Sequence, residues 1–385
     1  MASAAPTNAP SHAGSSQAPV ATKPKDFNVA AHGLRGIAAM MVFFAHLFGG
    51  TAEHIYSSDA AYAAAVRPFW NIGTFGVELF FVISGFVIMP SVTRYSLKEF
   101  ALRRLLRLYP LFLGFSLLFV ILNAMTSAYP RLDNPLTVIS GLFFLNLFTG
   151  TEQLTPNAWS LSFEVLFYIA AALSWYYAVT RRNLVMALVM LALSAALVVR
   201  FPIVTYFILG VMVRVVHDRG WFLPRRLGWL CELLVLAAML WLASLDHYEY
   251  NWVDIAKPVV PPLIACTGLY FYFAVHPGSL TSRLLGNKPI LYLGTVSFSL
   301  YIVHPYIYLP MRLAFDGLGW FTGNPWLSML VFVSAVTPLV LLATAFVYER
   351  LERRPYAWFF RQDIYRGRTT EPVVAETPTN PDARN

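Results

Sequence analysis

The chain has 385 residues, of which 57% are hydrophobic and only 12% are charged, and its formal net charge is +8. Soluble domains carry about twice that charged fraction, so the composition excludes an ordinary soluble globular domain. Apolar segments of membrane-crossing length recur along the chain, which predicts a polytopic α-helical membrane protein. Its positive charge requires no nucleic acid partner, because basic cytoplasmic loops and anionic membrane lipids account for it.

The chain divides into a long apolar region between two polar ends. Residues 1–27 are rich in Ala, Pro, Ser and Thr and contain no apolar run, so we expect a disordered cytoplasmic tail without a signal peptide. We expect residues 28–355 to form the transmembrane domain and residues 356–385 to form a second cytoplasmic tail, mostly disordered. Eleven apolar segments follow in chain order: 29–49, 69–90, 105–125, 136–149, 159–179, 184–199, 202–216, 227–245, 257–275, 289–310 and 326–348.

The segment 136–149 is short for a crossing, which needs about 17 residues or more, so we expect it to be re-entrant or interfacial. The distribution of basic residues tests this expectation. With ten crossings and both termini in the cytoplasm, 22 of the 28 basic residues fall on the cytoplasmic side and five on the outer side. A crossing at 136–149 would reverse this bias. The sequence therefore predicts about ten transmembrane helices with both termini cytoplasmic.

The first apolar segment contains two ionisable residues, Arg35 and His46. Eleven residues make almost three helical turns, so both side chains would face the same way, roughly 16 Å apart along the helix axis. Ionisable side chains are costly inside a membrane helix and by default mark a functional site. The alternative is that Arg35 extends to the lipid headgroups and that His46 is an ordinary interfacial histidine.

Two carboxylates and a second histidine interrupt later apolar segments. Glu78 and Glu164 fall in the second and fourth predicted crossings, and His304 falls near the end of the ninth. The predicted topology places all three, together with His46, in the outer half of the membrane. Four ionisable groups from four helices at one depth predict a buried polar site. No clustered Cys and His ligands and no His-Glu-x-x-His pattern occur, so we predict no metal.

An arginine cluster lies at the predicted cytoplasmic start of the third crossing. Arg103, Arg104 and Arg107 are three or four residues apart and would share one face of a helix. Arginine binds phosphate oxygens through paired hydrogen bonds, and a helix N-terminus also favours anions. We interpret the cluster as a phosphate site that faces the cytoplasm. The alternative is a basic loop that only follows the positive-inside rule.

Together these motifs resemble the membrane-bound acyltransferase 3 family, whose members O-acylate glycans and some small molecules. The resemblance rests on five motifs in this order: Arg35 and His46 with ten residues between them, the stretch 75–86, Arg104-x-x-Arg107 followed by Pro110, the stretch 159–164 and the stretch 297–304. Two positions differ from the family pattern, since Phe298 stands where tyrosine is common and Glu78 where aspartate is frequent. The set of motifs is specific, whereas each alone is weak.

The resemblance implies a donor on one side of the membrane and an acceptor on the other. Cytoplasmic acyl-CoA, foremost acetyl-CoA, would give its acyl group to a hydroxyl at the outer side of the bacterial inner (plasma) membrane. The acceptor would be a glycan or a lipid-linked saccharide. Coenzyme A carries a pyrophosphate and a 3′-phosphate, which would bind the arginine side chains. Four residues are therefore candidates for donor binding: Arg35, Arg103, Arg104 and Arg107.

His46 is the candidate for the chemistry. It would act as a general base on the acceptor hydroxyl or would accept the acyl group itself. Either Glu164 or Glu78 would orient its imidazole and stabilise the charged form, and the spacing does not decide between them. Three further residues are candidates for orientation or acceptor binding: His304, Trp159 and Tyr301.

Two alternatives concern the acceptor and the class of protein. A small molecule such as a macrolide would change the acceptor but not the mechanism. A non-enzymatic transporter of glycan precursors would have a similar composition, but transporters more often carry midplane sites and paired broken helices. The separation of cytoplasmic arginines from outer histidines and carboxylates favours the enzyme. We expect the outer loops 50–68 and 311–325 to contact the acceptor.

Overall fold

The computed structural model describes residues 27–126, 129–361 and 364, and these residues contain no β-strand. Of the predicted tails at 1–27 and 356–385, residues 1–26, 362–363 and 365–385 lie outside the described residues. Sixteen α-helices occur in the described chain: α1 (Val29–His54), α2 (Ala60–Thr74), α3 (Gly76–Arg94), α4 (Leu97–Thr126), α5 (Pro135–Leu142), α6 (Asn146–Thr149), α7 (Trp159–Trp175), α8 (Leu184–Arg200), α9 (Thr205–Asp218), α10 (Arg225–Leu245), α11 (Trp252–Ile255), α12 (Val260–Ala274), α13 (Leu280–Leu284), α14 (Lys288–Gly317), α15 (Pro325–Val347) and α16 (Arg354–Phe360).

Seven helical stretches of the described chain are long and apolar enough to cross a membrane. Two of them are composite, since α2 continues into α3 and α15 continues into α16. The helices α8 and α9 qualify only as a pair bent by 119°, which gives up to eight spans, and α12 is apolar but shorter. These features confirm the prediction of an all-α polytopic membrane protein.

Two cavities lie at opposite ends of the helix bundle. The first, which we call the arginine cavity, is lined by the start of α1, the end of α3, the start of α4 and Tyr356. The second, the histidine cavity, is lined by the second half of α1 and by the starts of α3 and α7. Asn28 and Tyr356 both line the arginine cavity, so the two ends of the described chain lie at the same end of the bundle.

Each helix of the bent pair α8 and α9 connects the two ends of the bundle. Ile203, at the bend, lines the histidine cavity. Trp175 precedes α8 and Arg219 follows α9, and both line one groove beside the last turn of α3. Therefore α8 runs towards the histidine cavity and α9 runs back from it.

The helices α10 and α12 form another antiparallel pair. Tyr248, just after α10, lines the histidine cavity. At the other end, Trp229 Nε1 near the start of α10 donates to the carbonyl oxygen of Gly278, which follows α12, over 3.1 Å. Ten helices of the described chain thus alternate in direction: α1, α3, α4, α7, α8, α9, α10, α12, α14 and α15. The count of ten crossings stays a prediction, because seven described stretches, or eight with the bent pair, are long and apolar enough to span a membrane. Which end faces the cytoplasm stays a prediction.

The segment 136–149 forms two short helices, α5 and α6, which are separated by a turn. With eight and four residues, each is too short to cross a membrane. Ser162 Oγ of α7 donates to Asn146 Oδ1 over 2.7 Å and thereby ties α6 to the first turns of α7. This arrangement agrees with the expectation that the segment does not cross.

Close backbone packing sets the position of α1. A Cβ atom built on Gly36 would lie 2.6 Å from the backbone nitrogen of Gly294 in α14, and one built on Gly294 would collide with the carbonyl oxygen of His32. Small residues of this kind let membrane helices approach each other closely. The contact brings the polar residues of α1 beside those of α14.

The last helix extends beyond the predicted domain boundary at residue 355. After α15 the chain continues through a π-helical turn, Tyr348–Arg353, into α16, which ends at Phe360. Arg103 Nη1 of α4 donates to the hydroxyl of Tyr356 over 2.9 Å. This contact stabilises α16 against the start of α4 and explains why the helix does not stop at the predicted position.

Candidate active site

His46 of α1 and His304 of α14 lie side by side, with their ring centroids 5.2 Å apart. The Nδ1 atom of His46 is 2.8 Å from the carbonyl oxygen of Val42, and that of His304 is 3.0 Å from the carbonyl oxygen of Leu300. A carbonyl oxygen only accepts, so in the neutral form each Nδ1 carries the proton and each Nε2 keeps a lone pair. His304 is fully buried, whereas His46 lines the histidine cavity.

The histidine cavity has a volume of about 400 Å³. Its lining combines aromatic rings with a few polar groups and contains neither Lys nor Arg. The residues that line it are Val42, His46, Trp70, Thr74, Val77, Glu78, Asn157, Trp159, Phe163, Ile203, His247, Tyr248, Glu249 and Tyr301. Apolar and aromatic walls with few polar groups are typical of small-molecule sites.

Of the two predicted carboxylates, Glu78 is the one that shares this cavity with His46. It lies in the first turn of α3 and is buried, and its Oε2 atom has no hydrogen-bond partner. A buried carboxyl oxygen without a partner is costly, and such groups in a cavity are candidates for contact with a ligand.

Glu164 lies elsewhere, between the two cavities. Its Oε1 atom accepts hydrogen bonds from Ser84 Oγ, over 3.0 Å, and from the hydroxyl of Tyr168. The guanidinium carbon of Arg104 lies 5.1 Å from the centre of the Tyr168 ring, and Arg104 also interacts electrostatically with Glu164. The structure thus groups His46, Glu78 and His304, but it separates Glu164 from them, contrary to the predicted common depth.

Sequence reasoning did not identify Asn157, which connects the predicted residues of the histidine cavity. Its Nδ2 atom donates to the carbonyl oxygen of Tyr301 over 2.7 Å and lies 3.4 Å from Nε2 of His304. The hydroxyl of Tyr301 is 2.9 Å from Ser160 Oγ. The only signal in the sequence was a polar residue two positions before Trp159, just outside the motif that carried the resemblance.

The four predicted phosphate-binding arginines line the arginine cavity, which has a volume of about 200 Å³. Arg103 is already engaged, because its Nη2 atom is 2.8 Å from Glu99 Oε1 and its Nη1 atom donates to Tyr356. Arg104 Nη2 donates to Ser91 Oγ over 2.9 Å. The prediction that Arg35, Arg103, Arg104 and Arg107 approach one another therefore agrees with the geometry.

Glu352 is a second residue that sequence reasoning missed. It lies on the π-helical turn, is completely buried, and its Oε2 atom accepts from Ser299 Oγ over 2.7 Å. It interacts electrostatically with Arg107 and Arg35. Carboxylates at 99, 164 and 352 thus offset part of the positive charge of four arginines, which lowers the cost of burying them.

The predicted acceptor loops do not line the histidine cavity, and their contact with the acceptor stays a prediction. No residue that lines the histidine cavity falls in 50–68 or 311–325, whereas three consecutive residues come from the loop after α10: His247, Tyr248 and Glu249. His247 Nδ1 is 3.1 Å from Thr74 Oγ1 of α2. The chain brings this loop to the cavity because α10 ends beside α2, where Asn71 Nδ2 donates to the carbonyl oxygen of Ser244 over 3.0 Å.

An ion pair holds the same loop in shape. Asp254 Oδ1 is 2.8 Å from Lys257 Nζ, and Asp254 Oδ2 accepts from the backbone nitrogen of Glu249 over 2.8 Å. Burial by itself would raise the pKa of Asp254, but the hydrogen bonds from Lys257 and Glu249 lower it below the usual value. The loop therefore depends on an ionised Asp254.

The fold and this site define a polytopic membrane protein that holds a buried polar centre between two cavities at opposite ends. The chain belongs to the acyltransferase 3 family, since the family model described as an acyltransferase domain matches residues 28–347. The resemblance found in the sequence is therefore confirmed.

A relative supports the same family. Over 156 residues the chain is 33% identical to "Acyltransferase MdmB" of Streptomyces mycarofaciens. The match covers 37% of this chain and 38% of that relative, so it extends over less than half of either protein. No solved structure gives a significant match to the chain.

Proposed function

We propose that this protein transfers an acyl group, foremost acetyl, from cytoplasmic acyl-CoA to a hydroxyl of a glycan or glycolipid at the outer side of the bacterial inner membrane. One observation carries the proposal: His46, with His304 beside it, lines one cavity and four arginines line another, at opposite ends of the same bundle. Arg35 and His46 lie on the same helix, roughly 16 Å apart.

Donor binding is supported by the arginine cavity and by the polar groups that lead away from it. The phosphates of coenzyme A would bind the guanidinium groups, which suit phosphate oxygens. Its pantetheine arm contains two amides, and buried amides need hydrogen-bond partners. Ser91 and Ser84 lie seven residues apart on α3, which is about 10 Å, and Glu164 and Tyr168 adjoin Ser84. The arm would follow this row towards His46.

Acceptor binding is supported by the lining of the histidine cavity. A sugar presents apolar ring faces and hydroxyl groups, which match aromatic rings interspersed with hydrogen-bonding side chains. Trp70 lies with its ring centroid 5.6 Å from that of His46, and Trp159 lines the same cavity. Glu78 and Asn157 supply hydrogen-bonding groups.

In the proposed step, Nε2 of His46 removes the proton of the acceptor hydroxyl while the oxygen attacks the thioester carbonyl. The new C–O bond forms, the C–S bond breaks, and the proton passes to the sulfur of coenzyme A. Glu78 would stabilise the charged imidazole, because of Glu78 and Glu164 it is the one that lines the cavity. His304 would be a neutral partner of His46, since the centroids of the two rings are 5.2 Å apart.

The test is acyl transfer by the purified protein in liposomes, with radiolabelled acetyl-CoA and a panel of glycan and macrolide acceptors. His46→Gln should lower kcat by about 10²–10⁴-fold, the usual contribution of a general base, and should leave donor binding nearly unchanged. His54→Gln is the matched control. His54 lies on the same helix and makes the same type of backbone contact, Nδ1 to the carbonyl oxygen of Gly50 over 3.0 Å, but it is exposed.

Two results would reject the proposal. A folded His46→Gln protein with near-normal transfer would make His46 structural. A wild-type protein that never consumes acyl-CoA but moves glycan lipids across the bilayer would favour the transporter.

A further inference from the structure

A second basic concavity lies beside the arginine cavity and shares no lining residue with it. This basic groove lies between the last turns of α3, α7 and α9 and has a volume of about 430 Å³. Its charged residues are Arg94, Arg214, Arg219 and Asp218. The rest of its lining is largely apolar and includes Trp175 and Pro90. Three guanidinium groups against one carboxylate leave the groove positive.

The positive charge is held in place by the fold. Arg214 Nε is 2.8 Å from Asp218 Oδ2, and only 11% of the Arg214 side chain is exposed. Its guanidinium carbon also lies 5.3 Å from the centre of the Phe86 ring. Arg94 and Arg219 are exposed at the rim, where they are accessible to a ligand.

An apolar track leads away from the groove along α9. Val215, Met212 and Ile208 are 40%, 58% and 40% exposed, and they recur at spacings of three and four residues. This spacing puts them on one face of the helix, over roughly 10 Å from Val215 to Ile208. Arg219 continues the same face at the next turn, so one helix presents a positive end and an apolar stripe.

The geometry points to a binding site for a glycerophospholipid with an anionic headgroup. The headgroup phosphate would contact Arg94 and Arg219 in the groove, and an acyl chain would lie on the α9 track. Basic pockets between membrane helices bind anionic headgroups, and tryptophan prefers the headgroup level of the bilayer. Free phosphate would bind the two arginines but would make no contact with the apolar track on α9.

The groove also adjoins the donor machinery. Pro90 lines the basic groove, and the next residue, Ser91, lines the arginine cavity and accepts from Arg104. A lipid bound at the groove would stabilise the last turn of α3, on which this contact depends.

The experiment is native mass spectrometry of the purified full chain in a neutral detergent, titrated with dioleoyl phosphatidylglycerol or with dioleoyl phosphatidylcholine. The test variant is Arg94→Gln combined with Arg219→Gln. The matched control is Arg181→Gln combined with Arg182→Gln, two exposed arginines that follow α7 outside the groove. Thermal unfolding of each variant without lipid verifies that it is folded.

We expect the wild type and the control to bind phosphatidylglycerol equally and to prefer it to phosphatidylcholine. The test variant should bind phosphatidylglycerol roughly thirtyfold more weakly, since each basic residue near the headgroups contributes about fivefold. Equal binding of the two lipids, or an equal loss in the control, would overturn the site. Displacement of the lipid by an equal concentration of glycerol 3-phosphate would overturn the role of the track.

Discussion

Replacing Arg104 with lysine should weaken donor binding without slowing the chemical step. Arg104 lies on α4 and lines the arginine cavity, where one arm of its guanidinium donates to Ser91 and its plane faces the Tyr168 ring. These contacts fix the orientation of the guanidinium group, so its remaining donors are positioned in advance for a phosphate. Lysine keeps the charge but lacks the planar fork, so a paired contact becomes a single one.

The magnitude follows from one lost charge-assisted hydrogen bond. Such a bond contributes about 1.5–3 kcal/mol, so Kd for acetyl-CoA should rise roughly tenfold to a hundredfold or slightly more. Arg103→Lys should raise Kd less, because Glu99 and Tyr356 already occupy most of the Arg103 donors. Both substitutions remove contacts that are equal in the ground and transition states, so KM should rise while kcat stays constant.

The assay is isothermal titration calorimetry of the purified protein with acetyl-CoA, repeated with acetyl-dephospho-CoA, which lacks the 3′-phosphate. If Arg104 contacts that phosphate, the wild type should discriminate between the two donors and Arg104→Lys should discriminate less. If Arg104 contacts the pyrophosphate, the variant should lose affinity for both donors equally. A folded Arg104→Lys protein that binds both donors within twofold of wild type would refute the phosphate site and would leave only the positive-inside explanation.

Four further predictions concern the histidine cavity and the packing. Glu78→Gln should lower kcat with unchanged donor Kd, whereas Glu164→Gln should raise donor Kd, because of these two residues Glu78 is the one that lines the histidine cavity. Steady-state kinetics measures kcat and calorimetry measures donor Kd, so the two effects can be separated. His247→Ala should raise acceptor KM alone, and a changed donor Kd would contradict this. Gly36→Val should lower Tm, since overpacking costs about 1–3 kcal/mol where a Cβ would lie 2.6 Å from a backbone nitrogen. The pKa of Asp254 is lowered in the folded protein, so its ionised contacts stabilise the loop at pH values above the unfolded-state pKa of about 3.9. The protection of the backbone amides in 246–251 from hydrogen exchange, relative to an unfolded peptide, should therefore decrease as the pH falls below that value.

The sequence predicted what depends on hydropathy and spacing. The all-α membrane fold follows from the apolar segments, whereas the count of ten crossings stays a prediction from the distribution of basic residues. The eleven-residue spacing predicted that Arg35 and His46 lie roughly 16 Å apart along one helix, and in the structure they line different cavities. These features are local along the chain, and helix geometry converts spacing directly into position.

What the sequence did not predict depends on contacts between distant helices. Glu352 belongs to none of the motifs found in the sequence, but the π-helical turn directs it to Ser299 and the arginines. The loop at 246–251 contains no motif and reaches the histidine cavity only because α10 packs beside α2. Glu164 lies in the second turn of α7 and Glu78 in the first turn of α3, and the crossing of these helices pairs Glu164 with Ser84. Such pairings are set by helix rotation and depth, which periodicity alone does not give.

The position of Glu164 has a physical reason that links the two cavities. Arg104 is half-buried in the lining of the arginine cavity, and a guanidinium group that is partly removed from water needs a compensating negative charge nearby. A carboxylate in direct contact would occupy the donors that a phosphate requires, as Glu99 does for Arg103. Glu164 instead acts through the intervening Tyr168 ring, and it accepts hydrogen bonds from Tyr168 and Ser84. This arrangement offsets the charge of Arg104 and leaves its donors available for the ligand that we propose.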